Sequence, residues 1–378
     1  MTNFPTVRVH GLDTLRALAI VLVFMNHYML FVSGEPTFGP IGVLGWTGVD
    51  LFFALSGYLI GNQIMASIRS EQGFSLKNFY ARRLLRTVPN FYFMLALYAL
   101  FPYVRGARVL PPLWQFLSFT QNILLTPGTA FSHAWSLCVE EQFYMLLPAA
   151  ALLIAACRKS LLWAWLAIAA CIIAGMLTRS YVWTTYVGEG DPGNHYYTLI
   201  YYSSLCRYDE LMAGVALALL KNFHPAAWTR ITSRGDAALA AGVATLGTMF
   251  YLFYQDRYGY AVTVFGYPML GVAVALLLIA ALSPGSLLQR VRVPGAASLA
   301  LWSYAIYLSH KELCVLLSAQ LKQFGIQPTT WAAVAIMSAA TLLAGWLMFR
   351  FIETPFMKLR DRYVPHNYAA PGKRWAVA

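Results

Sequence analysis

The chain has 378 residues, of which 59% are hydrophobic and only 11% charged, and it carries a formal net charge of +12. Such a composition excludes an ordinary soluble domain and fits an all-α, polytopic membrane protein whose solvent is mostly lipid. The positive balance does not point to nucleic acid, because the basic residues are distributed as a topology rule would place them.

Apolar stretches recur at 12–33, 41–64, 87–104, 134–156, 161–179, 206–221, 237–254, 260–282, 299–318 and 331–351. Most could cross roughly 30 Å of hydrocarbon as helix, so about ten spans are expected. The segment PLWQFLSFTQNILL (112–125) is shorter and polar on one side, and reads as interfacial or re-entrant. With the N-terminus inside, the inner segments hold Arg8, the run from Arg69 to Arg86, Arg158 and Lys159, Lys221, Arg230 and Arg234, Arg290 and Arg292, and the run from Arg350 to Arg374. These are most of the 27 Lys and Arg residues. The bias places both termini in the cytoplasm and the protein in the cytoplasmic (inner) membrane.

The first apolar run is too long for a signal peptide and lacks a small-residue cleavage site, so it is expected to remain as the first helix. Residues 1–357 then form one membrane-embedded domain, followed by a short basic cytoplasmic tail, 358–378. The candidate outer loops, 105–133 and 180–205, are too short for a further soluble domain. Five cysteines (Cys138, Cys157, Cys171, Cys206 and Cys314) lie scattered in apolar segments without CxxC or metal-ligand spacing. Neither a disulfide framework nor a metal is expected.

In the first span, DTLRALAIVLVFMNHYMLF, Arg16 and His27 fall nearly in line on one helix face, about 16 Å apart along the axis. Asp13 shares the stripe at the helix entrance. Ionisable groups inside a bilayer are costly, so the pair reads as functional; the alternatives are an arginine that snorkels and a histidine that bonds a neighbouring helix. Counting along the spans puts His27, Asp50, Glu140, Glu141, Arg207, Asp209, Glu210 and His310 at a similar depth, roughly 10 Å below the outer surface. One layer of histidines and carboxylates is what a buried acid/base site needs.

On the inner side, FYARRLLRTVPNFYF places Arg82, Arg83 and Arg86 at the mouth of the third span, with Arg16 nearby. Guanidinium groups make paired, charge-assisted hydrogen bonds to phosphate, although a positive-inside flank among anionic lipids would look the same. An anion site separated from an acid/base layer by about 16 Å suits a long thioester cofactor. Ser56 reads as a small packing residue, Asp50 is open to a structural pairing with Arg207, and Glu353 reads as an anchor of a helix end against the basic tail. Tyr181, Trp183 and Tyr186 read as interfacial belt; so do Tyr196, Tyr197, Tyr201 and Tyr202, with sugar stacking as their alternative.

These residues sit in blocks that closely resemble the acyltransferase-3 family of integral membrane acyltransferases, which includes bacterial polysaccharide O-acetyltransferases. The blocks are Arg16-x10-His27, GVDLFFALSGYLI (48–60), FYARRLLRTVP (79–89), HAWSLCVEEQFY (133–144), CRYDELMAGV (206–215), SYAIYLSHKEL (303–313) and RFIETPF (350–356), in the family's order. The resemblance implies a membrane O-acyltransferase that takes an acyl group, most often acetyl, from acetyl-CoA on the cytoplasmic side. The acceptor would be a sugar hydroxyl of a cell-surface polysaccharide, glycolipid or other glycoside, with membrane lipid around the protein. By the same resemblance Arg16, Arg82, Arg83 and Arg86 would hold the donor. His27, oriented by Asp50 or Glu141, would act as general base or carry the acyl group covalently, and His310 is the rival base. Some relatives carry an SGNH-hydrolase-like domain after the closing block; none is expected here. The family's LWHWP-like segment reads LSHKEL, which leaves Lys311 and Glu312 without an inherited role. The competing class is a transporter or flippase for a glycan or lipid-linked substrate, for which paired broken helices and repeat symmetry would be expected.

Overall fold

The computed structural model describes residues 9–70, 74–156, 160–188, 193 and 195–367. Arg8, Cys157, Arg158, Lys159, Lys373 and Arg374 lie outside the described residues, as does the far end of the tail. Ten long helices dominate: α1 (His10–Tyr28), α2 (Gly48–Arg69), α3 (Leu76–Leu100), α4 (Trp135–Ala156), α5 (Leu161–Val182), α6 (Asp209–Phe223), α7 (Gly235–Gln255), α8 (Tyr267–Leu282), α9 (Ala296–Gln323) and α10 (Trp331–Met348), followed by α11 (Thr354–Tyr363). The described residues contain no strand, as expected in a bilayer, where a helix satisfies its own backbone. Among the described residues seven helical stretches are long and apolar enough to cross a membrane, including His10–Ser33, Gly45–Arg69 and Ser132–Ala156. The chain is a polytopic helical membrane protein.

The apolar windows and the helices differ where charge enters. The window at 87–104 belongs to a helix that begins at Leu76, capped by Ser75, whose side chain accepts from the Asn78 N–H at 3.2 Å. Hydropathy discounts the arginine block, but arginine is a good helix former and the block continues the same helix. The window at 41–64 begins instead with two short pieces, Gly39–Val43 and Gly45–Thr47, before α2. Of PLWQFLSFTQNILL only Leu113–Leu117 is helical; Phe116, Gln121 and Asn122 are buried while Trp114, Ile123 and Leu124 are exposed. It does not span.

Burial sorts the helices by role. The windows in α5 and α7 are only 11% and 17% buried, so these helices present apolar surface nearly all round and suit a lipid-facing rim. The stretches Gly45–Arg69 and Val262–Leu282 are each 67% buried and form the centre. Close crossing there depends on glycine. A Cβ on Gly57 would collide with the Leu211 carbonyl, and one on Gly214 with the Ala54 carbonyl, so α2 and α6 meet backbone to backbone. Packing of α9 along α1 brings the C-terminal histidine block to the N-terminal one.

Candidate active site

Two chambers sit end to end among α1, α2, α4 and α9. The larger, about 430 Å³, is lined by Asp13 and Arg16 from α1, by Ser56 and Gln63 from α2, by Arg83, Arg86 and Thr87 from α3, by Glu140, Glu141 and Tyr144 from α4, and by Ser303, Tyr304 and Tyr307 from α9. The smaller, about 60 Å³, is lined by His27, Phe31, Trp46, Ser132, His133, Trp135, Tyr197, Tyr201, Tyr202 and Arg257. Val49 and Tyr307 belong to both walls. The Tyr307 hydroxyl donates to the His133 carbonyl at 2.6 Å, so the Ser136 hydroxyl, 2.7 Å away, donates to Tyr307. Two hydrogen bonds thus pin Tyr307 in this partition.

In the larger chamber the carboxylates are already engaged. Tyr144 donates to Glu140 at 2.7 Å, and Glu141 lies 3.8 Å from an Arg83 nitrogen. The Arg83 guanidinium also stacks 3.9 Å above the Tyr144 ring. Among the described residues Arg16 and Arg86 make neither a hydrogen bond nor an ion pair within 4.0 Å, and both line the cavity. Their planar, five-donor forks are therefore available to an anion. Arg82 turns elsewhere: it donates to Asp361 at 2.8 Å and to the Val364 carbonyl at 2.6 Å, fastening α11 to α3. Of the arginines expected together, three share the chamber and Arg82 does not. Ser56, expected as a packing residue, stands on the chamber wall. Glu353 is buried and accepts from Asn90 at 3.0 Å, which anchors it to α3.

The smaller chamber is built on histidines. His27 Nδ1 lies 2.8 Å from His310 Nε2, with the rings parallel at 5.0 Å, and His133 packs edge-on 6.0 Å from each. His310 Nδ1 is 2.8 Å from the Ile306 carbonyl, which can only accept, so that nitrogen carries the proton. In the neutral ring Nε2 is then bare and accepts from His27 Nδ1–H, which leaves the lone pair of His27 on Nε2. Both nitrogens of His310 are occupied. His133 follows the same logic: Nε2 donates to the Leu308 carbonyl at 3.2 Å, and the buried Nδ1 has no partner among the described residues.

Asp50 and Glu141 orient neither histidine. Asp50 is fully buried against Arg207, whose other partners are the Tyr201 carbonyl at 3.1 Å and the faces of Tyr267 and Tyr201. Asp209 pairs with Arg179 beside it. The single layer expected from depth counting is thus three groups: histidines in one chamber, Glu140 and Glu141 in the other, and Asp50, Asp209 and Glu210 in the core. Depth fixes a level but not the direction in which each side chain leaves its helix.

His133 was missed by sequence reasoning, although it opens the HAWSLCVEEQFY block. The signal available was a histidine immediately before the apolar run at 134–156, but its placement depends on backbone that apolar patterning does not reveal. Phe131 adopts φ +56°, in the left-handed region that a bulky residue adopts only when its surroundings compel it. Its ring, fully buried, lies 4.7 Å from Tyr98, 5.3 Å from Phe91 and 5.3 Å from His133. Aromatic packing holds the turn that aims His133. On α1 the helix widens to a π-helical turn at Met29–Ser33, directly after His27, a distortion common beside functional residues. Lys311 is buried with its ammonium 3.9 Å over Phe31 and 3.4 Å from Ser132, whereas Glu312 points away to Tyr98 and Arg108. Tyr196, Tyr197, Tyr201 and Tyr202 do not form a belt; Tyr196 and Tyr201 are buried, while Tyr181 and Tyr186 are 61% and 52% exposed.

Comparison with known proteins agrees with this architecture. The chain is 29% identical to the peptidoglycan O-acetyltransferase OatA of Listeria monocytogenes, over 94% of this chain and 57% of the relative. It is 26% identical to the O-acetyltransferase OatA of Staphylococcus aureus, over 92% and 57%, and 28% identical to the putative peptidoglycan O-acetyltransferase YrhL of Bacillus subtilis, over 91% and 54%. The chain thus spans little more than half the length of these relatives. No solved structure matches it. The family model described as an acyltransferase domain matches residues 9–350, nearly all of the chain described above, and the protein belongs to that family of membrane acyltransferases.

Proposed function

We propose that the protein is a membrane O-acetyltransferase that moves acetyl from acetyl-CoA, bound in the arginine chamber, to a sugar hydroxyl of a cell-wall or cell-surface glycan presented in the histidine chamber. The observation that carries this reading is the pair of abutting chambers, one with guanidinium groups unpaired among the described residues and the other with a histidine lone pair, sharing Val49 and Tyr307 as their wall. The basic flanks favour ten spans with both termini cytoplasmic, which opens the arginine chamber to the cytoplasm and the histidine chamber to the outer surface.

Arg16 and Arg86, with Arg83 beside them, have the free donors that phosphate groups require, and 430 Å³ is within the range of small-molecule sites. Coenzyme A supplies the acyl group already activated as a thioester. His27 Nε2 takes the hydroxyl proton as the ester C–O bond forms and the C–S bond breaks, and afterwards returns that proton to the leaving sulfur. His310 is a positioning residue: its Nε2 accepts from His27 Nδ1–H, fixes the productive tautomer and stabilises the imidazolium through a charge-assisted bond. That assigns to His310 the orienting role expected of a carboxylate. The relatives named for peptidoglycan O-acetylation support a glycan acceptor.

The test is binding and turnover of radiolabelled acetyl-CoA by the purified protein in nanodiscs, for wild type, Arg16→Ala and His27→Ala. The expected result is saturable binding that Arg16→Ala weakens and His27→Ala retains, with transfer lost in His27→Ala. Absence of acetyl-CoA binding by folded wild type would refute the reading.

A further inference from the structure

Three buried or half-buried arginines around the histidine chamber are matched to carboxylates, whereas Lys311 sits over Phe31 and beside Ser132. Arg179 is paired with Asp209, Arg207 with Asp50, and Arg108 with Glu312. Arg257, in the connection between α7 and α8, is not: among the described residues no carboxylate lies within 4.0 Å of it and no acceptor takes its N–H groups. It is nonetheless held in place. Its guanidinium carbon lies 4.8 Å from the Trp46 ring centroid, 5.7 Å from Tyr197, 5.8 Å from Tyr201 and 5.9 Å from Tyr258. Cation–π contact satisfies the faces of a guanidinium but leaves its in-plane donors unused. Arg257 also lines the same chamber as His27, so those donors border the space where the acceptor must sit. The neighbouring connection does not neutralise it, because the Asp256 carboxylate turns against Gly259.

We propose that Arg257 selects acceptors bearing an oxyanion group, a carboxylate or a phosphate, held bidentately in the guanidinium plane while the adjoining sugar rests on Tyr197 and Tyr202 with its hydroxyl toward His27. This rests on the acyltransferase reading above and names the acceptor class for that site. Tyr197 and Tyr202 stand 5.9 Å apart, centroid to centroid, and both line the chamber. Two amphipathic rings inclined at 41° to one another beside a rigid planar cation suit a charged sugar better than a neutral one, whose hydroxyl groups would leave the guanidinium without a counter-charge. The carboxylate could be carried by the glycan itself, and the phosphate by a lipid-linked precursor.

The experiment measures acetyl transfer from acetyl-CoA by the full chain in nanodiscs to three acceptors: neutral chitotetraose, a peptide-free glycan tetrasaccharide with lactyl carboxylates, and a polyprenyl-diphosphate-linked disaccharide. Wild type is expected to show an acceptor KM at least about tenfold lower for one or both anionic acceptors. Arg257→Gln should erase that preference by raising the KM of the anionic acceptors at least about tenfold, to the chitotetraose value, with acetyl-CoA binding retained, and Arg257→Lys should restore part of it. The carboxylate and lipid-linked arms distinguish the two sources of the anion. Equal KM values for neutral and anionic acceptors in wild type would overturn the inference, as would a loss in Arg257→Gln that falls equally on all three or on donor binding. Failure of wild type to transfer acetyl to any acceptor would instead count against the acetyltransferase reading itself.

Discussion

Asp50→Asn separates a structural carboxylate from a chemical one. Both partners of the Asp50–Arg207 pair are 0% exposed. The substitution keeps an acceptor for the guanidinium but removes its counter-charge, leaving Arg207 with the Tyr201 carbonyl at 3.1 Å and ring centroids at 4.5, 4.8 and 5.2 Å. These contacts exist in the intact protein, so they do not compensate. Breaking a buried pair by removing one partner typically costs about 3–5 kcal/mol; the retained amide oxygen argues for the lower end, about 3 kcal/mol, or a melting midpoint lowered by about 4 °C for a chain of this length. Tryptophan fluorescence during thermal unfolding in detergent reads this directly. Asp50→Asn combined with Arg207→Gln removes both charges and should recover part of the loss. Acetyl transfer per folded molecule, measured well below the midpoint, should stay near wild type. An unchanged midpoint with transfer reduced a hundredfold or more would refute this and return Asp50 to the chemistry.

Two further outcomes follow from the geometry. His310→Phe, which cannot accept from His27 Nδ1–H, should lower transfer by about 10²–10⁴-fold, the range of a lost general-base contribution. His310→Gln, whose amide oxygen can accept, should recover part of it; equal activity in wild type and His310→Phe, measured by label transfer to a glycan, would remove His310 from the site. Arg86→Gln should raise the apparent Kd for acetyl-CoA by about tenfold or more through loss of a charge-assisted contact, whereas Arg82→Gln should leave it unchanged and instead loosen α11. Isothermal titration and limited proteolysis of the C-terminal segment check the pair, and the opposite pattern would exchange their assignments.

The long helices and the Arg16–His27 alignment were legible in sequence because both are local: apolar runs mark helices, and an eleven-residue spacing puts the two side chains along one helix. The contacts between helices were not. Arg82, Arg83 and Arg86 lie within a turn and a half of one another, yet Arg82 leaves the helix toward Asp361, a partner 279 residues away. His27 and His310 are 283 positions apart, and only the packing of α9 on α1 brings a nitrogen of each ring to 2.8 Å from the other. Asp50, Glu141 and His310 reach a similar depth by counting, but three different helix faces send them to three different neighbourhoods. His133 and the tyrosines at 197–202 lie in connections whose conformation depends on tertiary aromatic packing, for which a single sequence offers no periodicity.

Phe131 meets two requirements that oppose each other. Glycine there would relieve the left-handed backbone but empty the space between Tyr98, Phe91 and Phe116; a β-branched residue would fill part of that space and aggravate the backbone. Substitutions chosen to make this connection more comfortable would therefore release the ring that braces His133. Position 131 is a poor target for stabilising the protein, because local ease there is gained at the expense of where a histidine points.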